Sequence, residues 1–337
     1  MGANAAKTGV SKEVIKRVAE AVRQVKPNPE FYNRPFLHLN ADRETRLRVY
    51  FLSAAICHQT RTLHHPQLNL WGWDYMEHVF TDMVENRHPL LIPGYSSCIE
   101  KSEIEWMLAS LFSVDRRPEN TTLDRLSERA EMIFQICTVA RNHYDGSISR
   151  LVDASGGLLY NNGKGLYEVL GAFSAFSDPH RKKATFYIKL ACDAGVLNIR
   201  DPENLIPVMD YHMMRVLLRT GMVEVYDGDL SRSLKNRDRL ESDEEVRSSA
   251  IEAMRLLAEQ SGWELLSLND LFWPLGRSCC FEEPVCVSGK CSKDPCTLTK
   301  TTTAGPHKSC ILQESCRGAR EEEYRNLWEP MTETNYY

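Results

Sequence analysis

The amino-acid sequence predicts an all-α protein, and three observations support this class. Apolar residues recur three or four positions apart through most of the 337 residues, which is the spacing of one face of a helix. The alternation of polar and apolar residues that indicates strands is scarce. Helix-capping residues precede several of the apolar stripes. The chain is long enough for more than one domain.

The first half of the chain is predicted to contain four long helices. Ser11 caps the first, which a pair of prolines ends. The second runs from about residue 43 to 63. Ser102 and Glu105 form a capping-box pattern at the start of the third. Apolar residues at helical spacing from 123 to 137 define the fourth.

The second half is less regular in its pattern. A turn-rich stretch, residues 153–165, interrupts the helices. Residues 226–245 carry many charges and are predicted to form a surface connector. Ser242 and Glu245 cap the next helix, which Gly262 ends.

Composition places the chain among ordinary globular proteins, with 42% hydrophobic and 26% charged residues. The formal net charge is −5, so any surface that binds nucleic acid must be local. No signal peptide is evident, and no apolar run is long enough to span a bilayer. Cysteines placed singly through the body suit a reducing compartment. We expect a cytoplasmic protein, in the host cytoplasm if its source is viral, that is not secreted and has no membrane partner.

Cysteines concentrate near the carboxyl end, where seven of the eleven lie between residues 279 and 316. Such a concentration indicates a metal or disulfide site rather than scattered core thiols. Soft thiolate sulfur suits an iron–sulfur cluster or zinc, and zinc is the rival on cysteine count alone. One compact set of four remains open, made of Cys280, Cys286, Cys291 and Cys296.

A second candidate site is the string "VMDYHMMRVLLRTG", residues 208–221. Asp210 stands where a helix is predicted to start. A carboxylate held rigidly there can stabilise a developing cation or accept a proton. The alternative is that Asp210 only caps the helix.

Together these strings resemble the helix-hairpin-helix DNA glycosylase superfamily of the endonuclease III type. Its iron–sulfur loop has the spacing C-x6-C-x2-C-x5-C, and this chain is similar in both halves but inserts a loop, residues 287–309, which is predicted to be mobile. The resemblance implies a [4Fe–4S] cofactor, expected to be structural. It implies four ligands, which are Cys279, Cys286, Cys310 and Cys316.

The Asp210 string is similar to the catalytic segment of the same superfamily, D-x-H-x-x-R-V followed by R-T. The resemblance implies that Asp210 is catalytic and that His212 and Arg215 contact DNA. The string "SAAICHQT", residues 53–60, is similar to the family's helix end whose glutamine probes the duplex, which implies this role for Gln59. The alternative is a solvated residue at a helix terminus. The aromatic residues that follow are predicted mainly to pack, and these are Trp71, Trp73 and Tyr75.

The family's hairpin, L-P-G-V-G-R-K-T-A, corresponds here to "FSDPHRKKA", residues 176–184. Asp178 and His180 replace its two glycines, and Lys182 falls at the position of its nucleophilic lysine. The remaining basic tract, at a predicted helix start, suits phosphate binding. An ordinary solvated positive face is the alternative. The residues predicted to bind DNA or phosphate here are His180, Arg181 and Lys183, with Lys182 as a catalytic candidate.

The overall pattern is similar to a bacteriophage branch of this superfamily that includes amino acid:DNA transferases and α-glutamyl/putrescinyl thymine pyrophosphorylases. This resemblance implies a transferase that replaces the pyrophosphate of a pyrophosphorylated 5-hydroxymethyluracil in DNA with an amino acid or other amine. Its partners would be double-stranded DNA with a flipped modified pyrimidine and a small amine. The alternatives are a DNA N-glycosylase of base-excision repair and a DNA-binding module without activity.

By the same analogy, the chain should form two helical lobes. Residues 45–205 would form a barrel domain that contains the modified hairpin. Residues 1–44 and 206–337 would form a discontinuous lobe that contains the Asp210 segment and the iron–sulfur loop, residues 279–316.

Overall fold

A computed structural model describes residues 6–96, 98–291, 293, 296–303, 305 and 307–337. Helix accounts for 56% of the chain and strand for 5%, so the all-α class is confirmed. The α-helices are α1 (Lys12–Val22), α2 (Arg43–Ala55), α3 (Trp73–Glu85), α4 (Pro93–Ser96), α5 (Lys101–Leu111), α6 (Leu126–Tyr144), α7 (Ile148–Asp153), α8 (Leu166–Leu170), α9 (Lys182–Asp193), α10 (Tyr211–Thr220), α11 (Gly228–Asn236), α12 (Glu244–Ser261), α13 (Leu265–Pro274), α14 (Val285–Ser288), α15 (Thr297–Thr301) and α16 (Glu322–Arg325).

Strands are short and form two antiparallel pairs in the described residues. Strand β1 (Thr8–Val10) pairs with β4 (Val223–Val225), and β2 (His64–His65) pairs with β3 (Leu70–Trp71). A π-helix covers Leu275–Cys279. The 3-10 helices lie at Pro29–Asn33, Pro35–Leu37, Pro89–Leu91, Pro118–Asn120, Ser174–Phe176, Pro202–Asn204 and Arg317–Ala319.

The chain divides into two compact units. Unit 1 contains the described residues up to Tyr32 together with Ile206–Glu333, and unit 2 contains Asn33–Leu205 and Thr334–Tyr337. The sequence prediction places residues 33–44 and 334–337 with the discontinuous lobe, whereas here they belong to unit 2. None of the helices in the described part of the chain is long and apolar enough to cross a bilayer.

Unit 1 is built around α10, whose side chains from Met213 to Thr220 are all buried. Helix α12 packs against α1, α10 and α13. The amino-terminal segment is held by the β1–β4 pair and by α12, since the Thr8 hydroxyl donates to the Glu245 carbonyl of α12 at 2.7 Å. The helix that starts with Asp210 therefore lies in the core of its unit.

Unit 2 is built around α2, which is buried from Leu47 to Ala55. A helix buried on all sides belongs to the centre of a domain. It packs against α9, α7, α3 and α6. Edge-to-face aromatic contacts join Phe51 to Phe173, Phe176 and Tyr187, with ring centres 4.9 to 5.5 Å apart.

Several predicted boundaries are wrong, and local chemistry explains them. Helix α2 ends at Ala55 rather than near residue 63, because the chain turns there toward the β2–β3 hairpin. Helix α5 begins after Glu100, so Ser102 is not its cap. The charged stretch 226–245 contains α11, which the Asp227 carboxylate caps. Gly262 ends α12 in the left-handed conformation, with φ of 74°, as predicted.

The inserted loop, residues 287–309, is partly helical. Helix α14 ends in it at Ser288, and α15 lies within it with Leu298 fully buried. Residues 292, 294, 295, 304 and 306 lie outside the described residues. The backbone N–H of Asn28 donates to the Thr301 carbonyl at 2.9 Å, and that of Thr303 to the Lys26 carbonyl at 2.9 Å. These bonds anchor α15 to the segment after α1, so the prediction of a mobile loop is wrong for this part.

Candidate metal centre and carboxylate site

The carboxylate of Asp210 lies at the start of α10, where its motif predicts it. Its Oδ1 accepts a hydrogen bond from the Met213 backbone N–H at 3.1 Å, so Asp210 is the N-cap residue. Only 7% of the residue is exposed. Capping fixes the carboxylate on a rigid helix, so it is compatible with a catalytic role rather than an alternative to one.

The predicted DNA contact of Arg215 does not fit its position, because the side chain is completely buried. Its guanidinium donates to the carbonyls of Cys280 at 2.8 Å and Gly276 at 2.5 Å. It also pairs with the Glu329 carboxylate at 2.6 Å, and its Nη2 lies 3.2 Å from Nδ1 of His212. The hydrogen-bond donors of its guanidinium are satisfied within unit 1. We therefore assign Arg215 to holding the cysteine segment, residues 275–316, against α10. His212, the other predicted DNA contact, borders the same arginine.

Arg219 makes a similar connection one turn later in α10. It donates to the carbonyls of Leu327 at 2.9 Å and Phe281 at 2.7 Å. Its guanidinium carbon lies 4.5 Å from the centre of the Trp328 ring, within cation–π range. Its Nη1 is 3.8 Å from the sulfur of Cys280. Arg215 and Arg219 therefore join α10, the helix that Asp210 caps, to the cysteine segment.

The cysteine segment begins with the π-helix Leu275–Cys279, a form often found at functional sites. Gly276 allows this segment to approach α10, because a β-carbon there would collide with the carbonyl oxygen of His212. At the end of the π-helix, Cys279 and Cys280 are adjacent in the chain. Their thiols nevertheless enter two different groups.

The first group, the wide thiol group, consists of Cys280, Cys286, Cys310 and Cys316, all of them free. Burial and then the neighbouring Cys280 thiol raise the pKa of Cys316 to about 12. Burial and Cys280 raise the pKa values of Cys310 and Cys286 as well. All six pairs of these thiols interact electrostatically, so the four lie in one neighbourhood of unit 1.

The second group, the tight thiol group, consists of Cys279, Cys291 and Cys296, whose sulfur atoms all lie within 4.8 Å of one another. These three cysteines could bind a metal ion. Cys279 and Cys296 are buried, with their sulfur atoms 3.5 Å apart. The predicted ligand set is thus divided, since Cys279 lies here, whereas Cys286, Cys310 and Cys316 lie with Cys280.

The predicted phosphate site at the start of α9 already holds an internal anion. The buried carboxylate of Asp178 accepts the backbone N–H of His180 at 3.0 Å and that of Lys182 at 2.8 Å. Arg181 has the left-handed φ of 58° at the N-cap position. A carboxylate satisfies the same amides that a phosphate would bind. We therefore do not assign the amides of this helix start to DNA phosphate.

The lysines of the tract are not a solvated face. Lys183 is fully buried, and its ammonium donates to the Ala55 carbonyl at 2.6 Å and lies 3.1 Å from Nδ1 of His58. Burial lowers the pKa of Lys183 to about 7. It also lowers the pKa of His58, which neighbouring cations lower further. Lys183 thus does not fit its predicted phosphate contact. Lys182 is 7% exposed, with its ammonium 3.7 Å from the sulfur of Cys57.

Gln59 lies in the turn after α2 rather than on the helix. It has a φ of 44°, unusual for a residue with a side chain. Its N–H donates to the Tyr337 carbonyl at 3.2 Å, and its Oε1 accepts from Arg125 at 3.3 Å. Of the aromatics that follow, Tyr75 packs in the core as predicted. Trp71, however, is 46% exposed and stacks on His64, so the packing prediction is wrong for it.

The ligand set implied by the family resemblance leaves out Cys280, which the sequence analysis names only in the alternative set with Cys286, Cys291 and Cys296, although a signal for it exists. Cys280 and Cys286 enclose five residues, as Cys310 and Cys316 do. Sequence reasoning also misses His307, whose Nε2 lies 3.3 Å from the sulfur of Cys279. No protein-family model matches the chain, and no curated protein matches it in sequence.

Proposed function

We propose that this protein is a DNA-acting enzyme of the helix-hairpin-helix glycosylase type that works on an extruded base, with Asp210 as its catalytic carboxylate. One observation supports this most strongly. The helix that Asp210 caps is joined through Arg215 and Arg219 to a group of four free thiols. The order of aspartate and cysteine segments is also the one that the family resemblance implies.

The wide thiol group suits a [4Fe–4S] cluster. Each of its four irons takes one thiolate, and the group offers four free thiols. The cluster would supply a rigid cross-link between the two halves of the cysteine segment. Arg219, beside the Cys280 sulfur and bonded to the Phe281 carbonyl, would keep that cross-link fixed to α10.

For the reaction, we propose transfer of an amine to the exocyclic methylene of a pyrophosphorylated 5-hydroxymethyluracil in DNA. A carbon–nitrogen bond forms, the carbon–oxygen bond to pyrophosphate breaks, and Asp210 accepts the proton from the amine. The resemblance to the bacteriophage transferase branch supports this choice. Within unit 2, His180 and Arg181 remain candidates for a DNA phosphate contact, since Lys183 is buried.

A monofunctional DNA N-glycosylase is the second candidate, and one observation favours it. The ammonium of Lys183 is bonded inside unit 2 and has a lowered pKa, so the basic tract offers fewer exposed cations for a phosphate than the transferase proposal expects. In this case Asp210 would stabilise the oxocarbenium-like sugar while water attacks.

One pair of assays separates the two reactions. The protein is given DNA with pyrophosphorylated 5-hydroxymethyluracil and a panel of amines, and released pyrophosphate and nucleoside masses are measured. In parallel it is given DNA with uracil, oxidised or alkylated bases, and abasic sites are counted. Pyrophosphate release with a new nucleoside supports the transferase, and abasic sites support the glycosylase. Activity in neither assay would contradict both.

The role of Asp210 is tested by Asp210→Asn, because asparagine caps helices as well as aspartate does. We expect the fold and iron content to persist while activity falls about 100-fold or more. Asp227→Asn is the matched control, since Asp227 caps α11 in the same way, accepting the Leu230 N–H at 2.7 Å. Full activity of Asp210→Asn would overturn the assignment.

A further inference from the structure

The tight thiol group has a fourth potential ligand in His307. Its Nε2 lies 3.3 Å from the sulfur of Cys279 and 4.0 Å from that of Cys296, whose sulfurs are 3.5 Å apart. Tetrahedral zinc with ordinary bond lengths requires ligand atoms about 3.6 to 3.8 Å apart. The three separations among Cys279, Cys296 and His307 bracket that range, and the sulfur of Cys291 lies within 4.8 Å of both other sulfurs.

The surroundings of these side chains also suit a metal. Nδ1 of His307 lies 3.3 Å from the Gly305 carbonyl oxygen, and a hydrogen bond there places the proton on Nδ1 and leaves the Nε2 lone pair for a metal. The Ser278 hydroxyl, buried between the thiols, is 3.5 Å from the sulfur of Cys296 and 3.7 Å from that of Cys279. That hydroxyl donates its proton to the Pro274 carbonyl at 2.7 Å, so the serine holds the π-helix beside the thiols rather than donating to a sulfur.

We propose that Cys279, Cys291, Cys296 and His307 form a structural zinc site, separate from the wide thiol group. Three sulfurs and one nitrogen complete a closed tetrahedral shell, which is typical of structural rather than catalytic zinc. The inference does not depend on the proposed DNA chemistry, because it rests on a different set of side chains.

The role of such a zinc ion follows from where its ligands lie in the chain. Cys279 ends the π-helix, Cys296 is the N-cap residue of α15, and His307 follows that helix. The ion therefore fastens the insert to the segment that also supplies Cys280 to the wide thiol group. Because a short helix such as α15 is marginal alone, the zinc ion replaces the core that this insert is too small to build.

The first test uses the full-length protein, purified anaerobically without added metal. Elemental analysis should find about one zinc ion per chain beside the iron. X-ray absorption at the zinc edge should show three sulfurs at about 2.3 Å and one nitrogen at about 2.0 Å. Zinc-free protein, or a zinc shell of four sulfurs or of oxygen and nitrogen alone, would overturn the proposal, whatever the outcome of the DNA assays.

The second test uses single substitutions. Cys296→Ser should lower zinc content at least about fivefold and retain iron, whereas Cys310→Ser should lose iron and retain zinc. Cys192→Ser, in unit 2, is the matched control and should retain both metals. If zinc is lost with Cys310→Ser but kept in Cys296→Ser, the proposed ligands are wrong. Should a variant fail to fold, the absorption spectrum of the unaltered protein still decides the question.

Discussion

Each unit buries a basic side chain that the sequence analysis assigns to DNA contact, Arg215 in unit 1 and Lys183 in unit 2. The surroundings that stabilise these two side chains differ. In unit 1, Arg215 meets the Glu329 carboxylate, two backbone carbonyls and the rings of Phe281 and Trp328. In unit 2, the acceptors around the Lys183 ammonium are the Ala55 carbonyl and the neutral imidazole of His58, with the sulfur of Met132 at 3.9 Å.

This difference follows from the chemistry of the two side chains. A guanidinium does not lose its proton at ordinary pH, so a buried arginine requires an anion and several acceptors. A buried ammonium can lose its proton and become neutral. Burial lowers the pKa of Lys183 to about 7. The arginine is therefore a permanent ionic cross-link, whereas the lysine is a site whose charge depends on pH.

The largest effect should come from Arg215→Met, which leaves the carboxylate of Glu329, 4% exposed, buried without its partner. We expect a loss of about 3–5 kcal/mol in the free energy of unfolding, measured by urea denaturation, and a loss of the iron that we propose for the wide thiol group. Arg239→Met is the control, because its pair with Glu333 is exposed on both sides and should contribute about 0–1 kcal/mol. Equal losses in the two variants would refute the distinction between them.

A pH titration of stability tests the lysine. An unfolded lysine has a pKa of about 10.4, so between about pH 7 and 10 this residue binds more protons in the unfolded chain than in the folded one. Lys183 should therefore contribute an increase in the unfolding free energy as pH rises through this window, whereas the buried thiols with raised pKa values contribute a decrease. The contribution of Lys183 to that rise should be a few kcal/mol, at about 1.4 kcal/mol per pKa unit.

Lys183→Met should remove this contribution, and Lys164→Met, at an exposed position of the same unit, should leave the pH profile unchanged. Urea denaturation at intervals across the window measures both variants. A profile of Lys183→Met that is parallel to that of the unaltered protein would show that Lys183 does not lose its proton there.

The sequence was most informative where chemistry depends on neighbours along the chain. Asp210 as a residue at a helix start follows from its local motif, and the density of cysteines alone indicates a metal site. The sequence does not predict that the adjacent residues Cys279 and Cys280 belong to different thiol groups. That assignment depends on the π-helix and on the close approach of Gly276 to α10. Lys183 is buried because α9 packs against α2. Its basic neighbours in the sequence instead suggest an exposed positive face, so the sequence does not predict this burial.

Gly276→Ala should have an intermediate effect and tests how closely the cysteine segment approaches α10. Because a β-carbon would collide with the His212 carbonyl, the segment must shift, at about 1–3 kcal/mol. That shift would also lengthen the hydrogen bond from Arg215 to the Gly276 carbonyl. Gly228→Ala, at the start of α11 with nothing within 4 Å of the added carbon, should be neutral in thermal denaturation. A neutral Gly276→Ala would mean that the arginine does not require this close approach.

The smallest effect should come from Asp178→Ala at the start of α9. It removes the acceptors of two backbone N–H groups and should lower the free energy of unfolding by about 0.5–2 kcal/mol. It also frees those amides, so inorganic phosphate should stabilise the variant more than the unaltered protein. Asp229→Ala, on an exposed pair with Arg232, should show neither effect. If phosphate instead stabilises the unaltered protein as much as Asp178→Ala, then the amides at this helix start are accessible to an anion despite the carboxylate. The phosphate-binding prediction would then regain its support.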